Sequence, residues 1–405
     1  MPQVLDGYRI IDFTHVLSGP IATNYLRLQG ADVVKVESSI GDTMRNYGGK
    51  QVKDGMGPSF VSVNAGKRSI VLDLKNEADL EVARRLIATA DVVVENFRPG
   101  VIDRLGLGYQ VCREIRPDIV FCSISGFGQS GPLKANPAID QIIQSMSGLM
   151  NLSGEPGSPP VRVGFPVVDT FSGLLAAFAM VSALLQRERT GEGQYIDVAM
   201  FDAAMVMMVS VLGPYLVAGM KPEKQGNRGY SKSPTADTFA TAEGDITIGA
   251  VRDDQFKLLC QVLQRPELVA DPRFADRGSR LRHSDALQAE VTRAFSTRPA
   301  REWEQLLNHG GVAAGAVRDL PDAIALSHFD GRGLKIPLKV PGLARENVEV
   351  LNTGFIFAHD RPGIDRPPPR LGEHTKEILA ELGYRPEDIE AFGGTTGVAL
   401  KQETT

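Results

Sequence analysis

An aspartate placed just before a long apolar run is the first feature of this chain that could do chemistry. Asp169 follows the mostly apolar stretch 163–168 and precedes residues 174–185, whose composition predicts a buried helix. The free N–H groups and the dipole at a helix start stabilise a negative charge there. Two interpretations stay open. Asp169 caps the helix, as aspartate does well, or Ser172 caps it and Asp169 faces a cleft.

The composition is typical of a soluble globular enzyme. The 405 residues are 42% hydrophobic and 23% charged, and the length suggests two to three domains. A net charge of -5 and an isoelectric point near 5.8 argue against nucleic acid as the main partner.

The cysteines and the apolar segments indicate the cellular compartment in which the protein is expected to work. Cys112, Cys122 and Cys260 lie far apart without metal-ligand spacing, so we expect no metal site and a reducing, cytoplasmic compartment. Residues 1–7 do not resemble a signal peptide. The uncharged stretch 203–220 is just long enough for a membrane span, but Gly213-Pro214 interrupts it. It predicts a kinked core helix and no membrane insertion.

Strands and helices alternate through the first half of the chain. Predicted strands cover residues 8–13, 32–37, 68–74, 91–95, 118–123 and 195–198, and predicted helices cover 21–29, 77–90, 139–149 and 200–218. This order predicts a doubly wound parallel α/β sheet, whose ligands bind beyond the carboxyl ends of the strands. A Gly-x-Gly-x-x-Gly fingerprint is absent, so no dinucleotide site is predicted.

The second half of the chain is predicted to have a different organisation. Residues 221–234 form a polar, basic linker, and residues 235–320 predict a smaller α+β domain with a hairpin of 238–242 and 245–250. Short strands at 335–341 and 348–351 and a helix at 375–382 follow. Residues after Phe392 are expected to be lightly packed.

The motifs resemble, in order and over almost the whole chain, those of the family III CoA-transferases. They are Asp12-Phe13-Thr14, Gly19-Pro20, residues 30–37, Gly41-Asp42, residues 67–75, residues 95–100, Gly126-Phe127-Gly128, Ser147-Gly148, Asp169 with Gly173, residues 190–194 and residues 371–375. The resemblance implies that Asp169 is the nucleophile of a CoA transfer between an acyl-CoA thioester and a free carboxylic acid, with no permanently bound cofactor.

The same resemblance implies an architecture and a set of ligand contacts. The large domain would be a Rossmann-like sheet built from residues 1–220 and 321–405, and two chains would form an interlinked homodimer. The positions that match the family's CoA contacts are His15, Val16, Leu72, Lys75, Asn96, Phe97, Arg104 and Met200, with Asp140 beside them.

Three departures from the family pattern bear on specificity. Ser38 stands where some members have an arginine, so one contact with the adenine or a phosphate is replaced or missing. Leu17 stands where some members place a glutamine that stabilises the oxyanion, so backbone N–H groups must carry more of that role. The glycine run of formyl-CoA transferases is absent, which disfavours oxalate and formate.

A glycine-bearing loop is the candidate acceptor loop, expected to cover Asp169 and exclude water. It consists of Gly226, Asn227, Arg228 and Gly229. Arg228, with Lys232 and Arg252, could bind the second carboxylate of a dicarboxylic acid such as succinate. Alternatively, these are charges that face solvent.

Two other functions compete with CoA transfer. An α-methylacyl-CoA racemase shares the fold but needs a histidine base before the acid at position 140, where this chain has Ile139. A non-catalytic CoA-binding protein would require a blocked Asp169, of which the sequence gives no sign.

Overall fold

The computed structural model describes residues 3–341, 343, 345–359 and 361–395. It divides into two compact units. The first contains the chain up to Ser147, Gly164–Leu212 and the chain from Ser327 on, and the second contains Gly148–Val163 and Gly213–Leu326. The domain boundaries at residues 220 and 320 stay predictions. The tail predicted to be lightly packed lies, from residue 396, outside the described residues.

A parallel sheet forms the centre of the first unit, with the order β3-β2-β1-β4-β5-β6. Its strands are β1 (Arg9–Asp12), β2 (Asp32–Glu37), β3 (Arg68–Val71), β4 (Val92–Glu95), β5 (Val120–Ser125) and β6 (Tyr195–Ala199). The predicted parallel α/β sheet is therefore confirmed. The antiparallel sheet of the second unit consists of β7 (Thr238–Ala240), β8 (Asp245–Ile248) and β9 (Ala314–Ala316). A hairpin in the first unit pairs β10 (Lys335–Lys339) with β11 (Asn347–Leu351).

The helices of the described chain vary from single turns to more than six turns. They are α1 (Ser18–Leu28), α2 (Pro58–Asn64), α3 (Glu77–Ala88), α4 (Val101–Arg104), α5 (Tyr109–Ile115), α6 (Asp140–Met146), α7 (Leu149–Leu152), α8 (Val167–Thr190), α9 (Met200–Met207), α10 (Val209–Ala218), α11 (Asp253–Val262), α12 (Glu267–Ala270), α13 (Arg277–Arg282), α14 (Ser284–Phe295), α15 (Ala300–His309), α16 (Leu320–Ile324), α17 (Ser327–Gly331), α18 (Thr375–Glu381) and α19 (Pro386–Thr395). Short 3-10 helices cover Thr43–Asn46, Gly49–Gln51 and Pro272–Phe274.

The parallel strands are apolar on both faces because helices cover both sides of the sheet. In β4, Val92 and Val94 point into one core and Val93 into the other. The same alternation separates Ile10 from Ile11 in β1. This period of two, with every residue of β4 buried, is what a doubly covered parallel sheet requires.

The second unit has an apolar core of its own. Phe239 and Ile246 from its sheet pack with Phe295 and Trp303 from its helices. The buried indole N–H of Trp303 donates to the carbonyl of Phe295 at 2.9 Å, so the ring is buried without an unsatisfied donor. The predicted hairpin around Glu243-Gly244 is confirmed, but β9 is an additional strand that the sequence did not predict.

The long apolar stretch after β6 is not one helix kinked at its proline. The chain turns by 80° at Met208, between α9 and α10, and Pro214 lies inside α10. The predicted position of the kink, Gly213-Pro214, was therefore wrong. By length and composition α8 could cross a membrane, as could α9 and α10 taken as one bent span. Because buried core helices share these properties, the absence of membrane insertion stays a prediction.

Candidate active site

The predicted ligand contacts of the first unit follow the carboxyl ends of its parallel strands. His15 and Val16 follow β1, Leu72 follows β3, Asn96 follows β4, and Met200 follows β6. Since parallel strands end at one edge of their sheet, the fold brings these positions to that edge, where α/β sheets bind their ligands. Lys75 and Phe97 belong to the same loops, and Arg104 ends the short helix α4 after β4.

His15 and Asn96 join the loops after two neighbouring strands. The backbone N–H of His15 donates to Oδ1 of Asn96 at 2.8 Å, and Nδ2 of Asn96 donates to the carbonyl of His15 at 2.8 Å. The rings of His15 and Phe97 lie 5.6 Å apart. Burial lowers the pKa of His15, with Lys35 adding to the effect, which favours a neutral ring near pH 7.

The other predicted contacts differ in accessibility. The side chains of Lys75 and Arg104 are exposed and form no ion pair with the described residues, so both are available to an anionic ligand. Leu72 and Met200 are 1% and 7% exposed, which leaves little of either surface for a ligand in the isolated chain. Their roles as contacts stay predictions.

Asp169 lies in the first turn of α8, two residues after the first helical residue. The helix begins at Val167 and its N-cap is Pro166, which makes no side-chain capping bond. The interpretation of Asp169 as the cap is therefore wrong, and so is the proposed alternative cap, because Ser172 is buried inside the helix.

Asp140 provides the cap from a distant part of the sequence. Its Oδ1 accepts the backbone N–H of Val168 at 2.8 Å and that of Asp169 at 3.1 Å, while Oδ2 accepts Nε2 of Gln144 at 2.6 Å. Two of the free N–H groups at the start of α8 are thus satisfied without using the side chain of Asp169. Sequence reasoning placed Asp140 near the site but missed this function.

The carboxylate of Asp169 is left without a partner among the residues that the structure describes. It is partly buried, and within the described chain it forms no side-chain hydrogen bond or ion pair. Burial and then the nearby negative charge of Asp140 raise its pKa to about 7. An unpaired, partly desolvated carboxylate at a helix start is a strong nucleophile candidate, because no partner must be displaced before it reacts.

Close packing brings the start of α1 against α8. A Cβ atom at Gly173 would lie 2.5 Å from the carbonyl oxygen of Ser18, so only glycine permits this approach. The backbone N–H groups of Leu17 and Ser18 have no acceptor in the described part of the chain, as expected where a helix begins. The hydroxyl of Ser18 is also buried without a partner among the described residues. Donors free to bind an oxyanion thus lie at the start of α1, which packs against α8 at Gly173, one helical turn after Asp169.

Two buried acids at this edge were not assigned a role from sequence. Oε2 of Glu95 accepts the N–H of Phe97 at 2.8 Å, and burial raises the pKa of Glu95 to about 7. Asp42 accepts the N–H of Val16. Both acids lie in motifs that carry the family resemblance. That resemblance was the only feature of the sequence that could have pointed to a function for them. Among the described residues, no cluster of three metal-binding side chains occurs.

The candidate acceptor loop belongs to the second unit, where Arg228 is already engaged. Its Nε lies 3.3 Å from Oδ2 of Asp237, and one terminal nitrogen donates to Gln288 at 3.0 Å. Gly226 has a φ of +58°, a backbone conformation that strains residues with a side chain, and it lies against the flexible side chain of Glu155. Arg252 pairs with Asp254 at the surface.

An α/β domain with an aspartate that has no partner among the described residues, and with free backbone donors at the start of α1, has the groups that an acyl-transfer enzyme requires. The sequence matches the model of CoA-transferase family III over residues 5–375, and the chain belongs to that family. It is 40% identical to the acetyl-CoA:oxalate CoA-transferase of Acetobacter aceti, over 93% of this chain and 95% of that one. It is 33% identical to the mouse succinyl-CoA:glutarate CoA-transferase, over 99% of this chain and 91% of that one.

A solved structure agrees with this assignment. A CAIB/BAIF family protein from Brucella suis superposes with a TM-score of 0.85 at 35% identity, over 94% of this chain and 100% of that one. The chain is therefore a CoA-transferase of family III and not a non-catalytic CoA-binding protein. The transferase relatives, together with Ile139 before Asp140, do not favour the racemase alternative.

Proposed function

We propose that Asp169 is the nucleophile and that CoA moves through covalent intermediates on its carboxylate. The carboxylate attacks the thioester carbonyl of the donor, forms a mixed anhydride and expels CoA thiolate. The thiolate attacks the aspartyl carbonyl, which gives an aspartyl-CoA thioester and releases the donor acid. The acceptor carboxylate attacks this thioester, forms a second anhydride and expels the thiolate again. Attack of the thiolate on the acceptor carbonyl yields the new acyl-CoA and restores Asp169.

The unpaired state of Asp169 is the observation that carries this proposal. Each step needs a carboxylate free to attack and free to carry an acyl group, and a salt-bridged or capping aspartate would have to break contacts first. Asp140 takes over the helix N–H groups and leaves both oxygens of Asp169 available. Each attack also develops an oxyanion, for which the free N–H groups of Leu17 and Ser18 are the proposed donors.

CoA is proposed to bind along the carboxyl edge of the sheet in the first unit. The exposed cations Lys75 and Arg104 suit its phosphates, and Asn96 and Phe97 shape the loop beside His15. The order β3-β2-β1-β4-β5-β6 supports the Rossmann-like description of this domain.

We propose that a dicarboxylic acid is one of the carboxylic acid substrates between which CoA is transferred. Oxalate and glutarate, after which the two relatives above are named, both carry a second carboxylate. The oxalate relative weakens the expectation from the missing glycine run that oxalate is disfavoured. Arg228 remains the proposed reader of the second carboxylate. Arg228→Ala should raise KM for a dicarboxylic acceptor more than for a monocarboxylic one, and equal effects would remove Arg228 from this role.

Two chains are proposed to form the working enzyme as an interlinked homodimer. The outer face of α8 exposes Leu174, Phe178 and Leu185 by 44%, 69% and 52%, at spacings that place them on one side of the helix. Exposed apolar patches of this kind indicate an interface. Sedimentation over a wide dilution range should show no monomer, and Phe178→Glu should dissociate the dimer. A stable, active wild-type monomer would contradict the proposal.

Trapping of the covalent intermediate tests the mechanism. The wild-type enzyme is incubated with succinyl-CoA, acetyl-CoA or no thioester, treated with hydroxylamine and digested for mass spectrometry. We expect a hydroxamate on Asp169 only when a thioester that serves as donor is present. Asp169→Asn provides the matched control. Modification of Asp169 without a thioester, or of another carboxylate with it, would contradict the assignment.

A further inference from the structure

Val16 has a backbone conformation that its side chain disfavours. Its φ is +69°, in the left-handed region, where a β-branched residue is a genuine outlier. The side chain is 45% exposed, so packing in the core does not impose this conformation. Strain of this kind persists only where surrounding contacts fix the backbone, and it concentrates at functional sites.

Polar side chains from three other parts of the fold hold the backbone of this turn, and two of them, Lys35 and Asp42, are fully buried. Lys35 on β2 donates to the carbonyl of Thr14 at 2.6 Å. Asn96, after β4, binds both the N–H and the carbonyl of His15. Asp42 accepts the N–H of Val16 with both carboxylate oxygens, each at 3.2 Å. Three successive residues are thus fixed before any ligand arrives.

Asp42 is the contact that acts on the strained residue itself. It is fully buried, forms an ion pair with Lys35 at 3.1 Å and accepts the N–H of Met44 at 3.0 Å, which caps the 3-10 helix Thr43–Asn46. Because Lys35 and Met44 hold the carboxylate, its position relative to the Val16 N–H is fixed. A relaxation of Val16 to negative φ would turn this N–H away and leave a buried carboxylate with one partner fewer.

We propose that Asp42 is a positioning residue that holds Val16 in the left-handed conformation and thereby preforms the turn of residues 14–17 for the CoA thioester. This inference rests on the proposed binding of CoA at the carboxyl edge. Without Asp42, Val16 relaxes and carries His15 and Leu17 out of place. The enzyme must then restore the strained turn each time it binds CoA, and affinity falls.

A double-mutant cycle separates this role from a purely structural one. The variants are Asp42→Ala, Val16→Gly and both together in the full chain, and the measurement is the Kd for CoA by calorimetry. Glycine adopts a φ of +69° without strain, so it needs no clamp. We expect Asp42→Ala to weaken CoA binding roughly tenfold when residue 16 is valine and less than about threefold when it is glycine.

The effect of Asp42→Ala on folding needs its own control, because Asp42 also neutralises the buried charge of Lys35. Asp42→Asn keeps one acceptor oxygen and the shape of the side chain, and the cycle is repeated with it if the alanine variant does not fold. Equal losses of affinity in the valine and glycine backgrounds would overturn the inference while leaving CoA binding intact. A wild-type chain that binds no CoA would overturn the proposed CoA site and this inference with it.

Discussion

The two ends of the parallel sheet differ in how many of their charged side chains have partners. At the amino end, Arg9, Asp32 and Arg68 begin strands β1, β2 and β3, and all three are paired. Arg68 contacts Asp32 and Glu381 at 2.6 Å each, and Arg9 contacts the same two acids at 3.0 Å. Burial opposes the ionisation of Asp32, yet its hydrogen bonds and ion pairs with Arg68 and Arg9 outweigh burial and lower its pKa.

At the carboxyl end the buried acids Asp12, Glu37 and Asp42 are paired, but several more accessible charges have no partner among the described residues, and the backbone is strained. Asp169 has no side-chain partner among the described residues and its pKa is raised, whereas that of Asp32 is lowered. Lys75 and Arg104 are exposed and unpaired within the described chain, and Val16 keeps a positive φ. The desolvation of Asp169 and the positive φ of Val16 each cost stability, whereas the exposed cations are solvated and cost little.

This difference separates residues that hold the fold from residues that act on a ligand. A cation paired with two acids has little to offer a substrate, while an unpaired carboxylate gains when a ligand or an acyl group arrives. Buried residues at the carboxyl end, such as Asp42 and Asp140, support the exposed ones. They are satisfied themselves, and they hold the backbone around Val16 and Asp169.

The largest expected effect is the loss of transfer in Asp169→Asn. The amide keeps the size of the side chain but cannot form the anhydride, so kcat should fall by at least about three orders of magnitude. Initial rates with succinyl-CoA and a panel of acids measure it. Glu381→Gln, at the opposite end of the sheet, is the control and should keep kcat within about twofold. A wild-type rate in Asp169→Asn would exclude covalent catalysis through this residue.

The next effect is a pH dependence set by Asp169. The nucleophile must be ionised, so kcat/KM for the acyl-CoA donor should fall about tenfold per pH unit below 7 and level off above it. The same pKa affects the stability of the fold in the opposite direction: activity rises with pH, whereas stability falls. A raised pKa in the folded state stabilises the protein at low pH, and this contribution is lost as pH rises through 7.

Stability measurements can isolate that second effect. Between pH 5.5 and 8.5 the free energy of unfolding of the wild type should fall by about 1–2 kcal/mol more than that of Asp169→Asn, after allowance for the partial exposure of the carboxylate. Denaturant unfolding at both pH values measures the difference. Identical pH dependence in the two proteins would show that Asp169 titrates normally.

Asp140 offers a finer test, because its cap and its charge can be separated. Asp140→Asn keeps an acceptor for the N–H groups of Val168 and Asp169 but removes the negative charge, so the pH midpoint should move below 7 by up to about one unit. Asp140→Ala removes the cap as well and should cost a further 0.5–2 kcal/mol or so of stability. pH–rate profiles and unfolding curves of both variants measure these effects. An unmoved midpoint in Asp140→Asn would mean that burial alone raises the pKa of Asp169.

Local patterns predicted the sheet but not the contacts that complete the site. The valine run of β4 and the alternation with helices predict a parallel sheet, and the resemblance singled out Asp169. The start of α8 at Val167 was not predictable, because its cap is a carboxylate 29 residues before Asp169. The same holds for the clamp of Asp42 on Val16, which joins loops that become neighbours only when β1 and β2 pair.

Two further differences between the predicted and the observed elements, the turn at Met208 and strand β9, have causes in the local sequence. The turn at Met208 lies in an uncharged stretch without a capping residue to mark it, while the Gly213-Pro214 pair, a strong breaker signal, lies inside a helix. Strand β9 is only Ala314–Ala316, with low strand propensity, and it exists because β8 offers it an edge.

The smallest effect expected at the two ends of the sheet is the loss of stability in Glu381→Gln. Glu381 binds Arg9 and Arg68, but its side chain is 35% exposed, so solvent screens both pairs. Arg68 keeps Asp32 and Glu377 as partners, so the free energy of unfolding should fall by only about 0.5–1 kcal/mol. Glu390→Gln, which breaks the exposed pair with Lys376, should change it by less than about 0.3 kcal/mol. If Glu381→Gln instead raised KM for the acyl-CoA, the amino end would also contribute to ligand binding, and the division between the two ends of the sheet would be wrong.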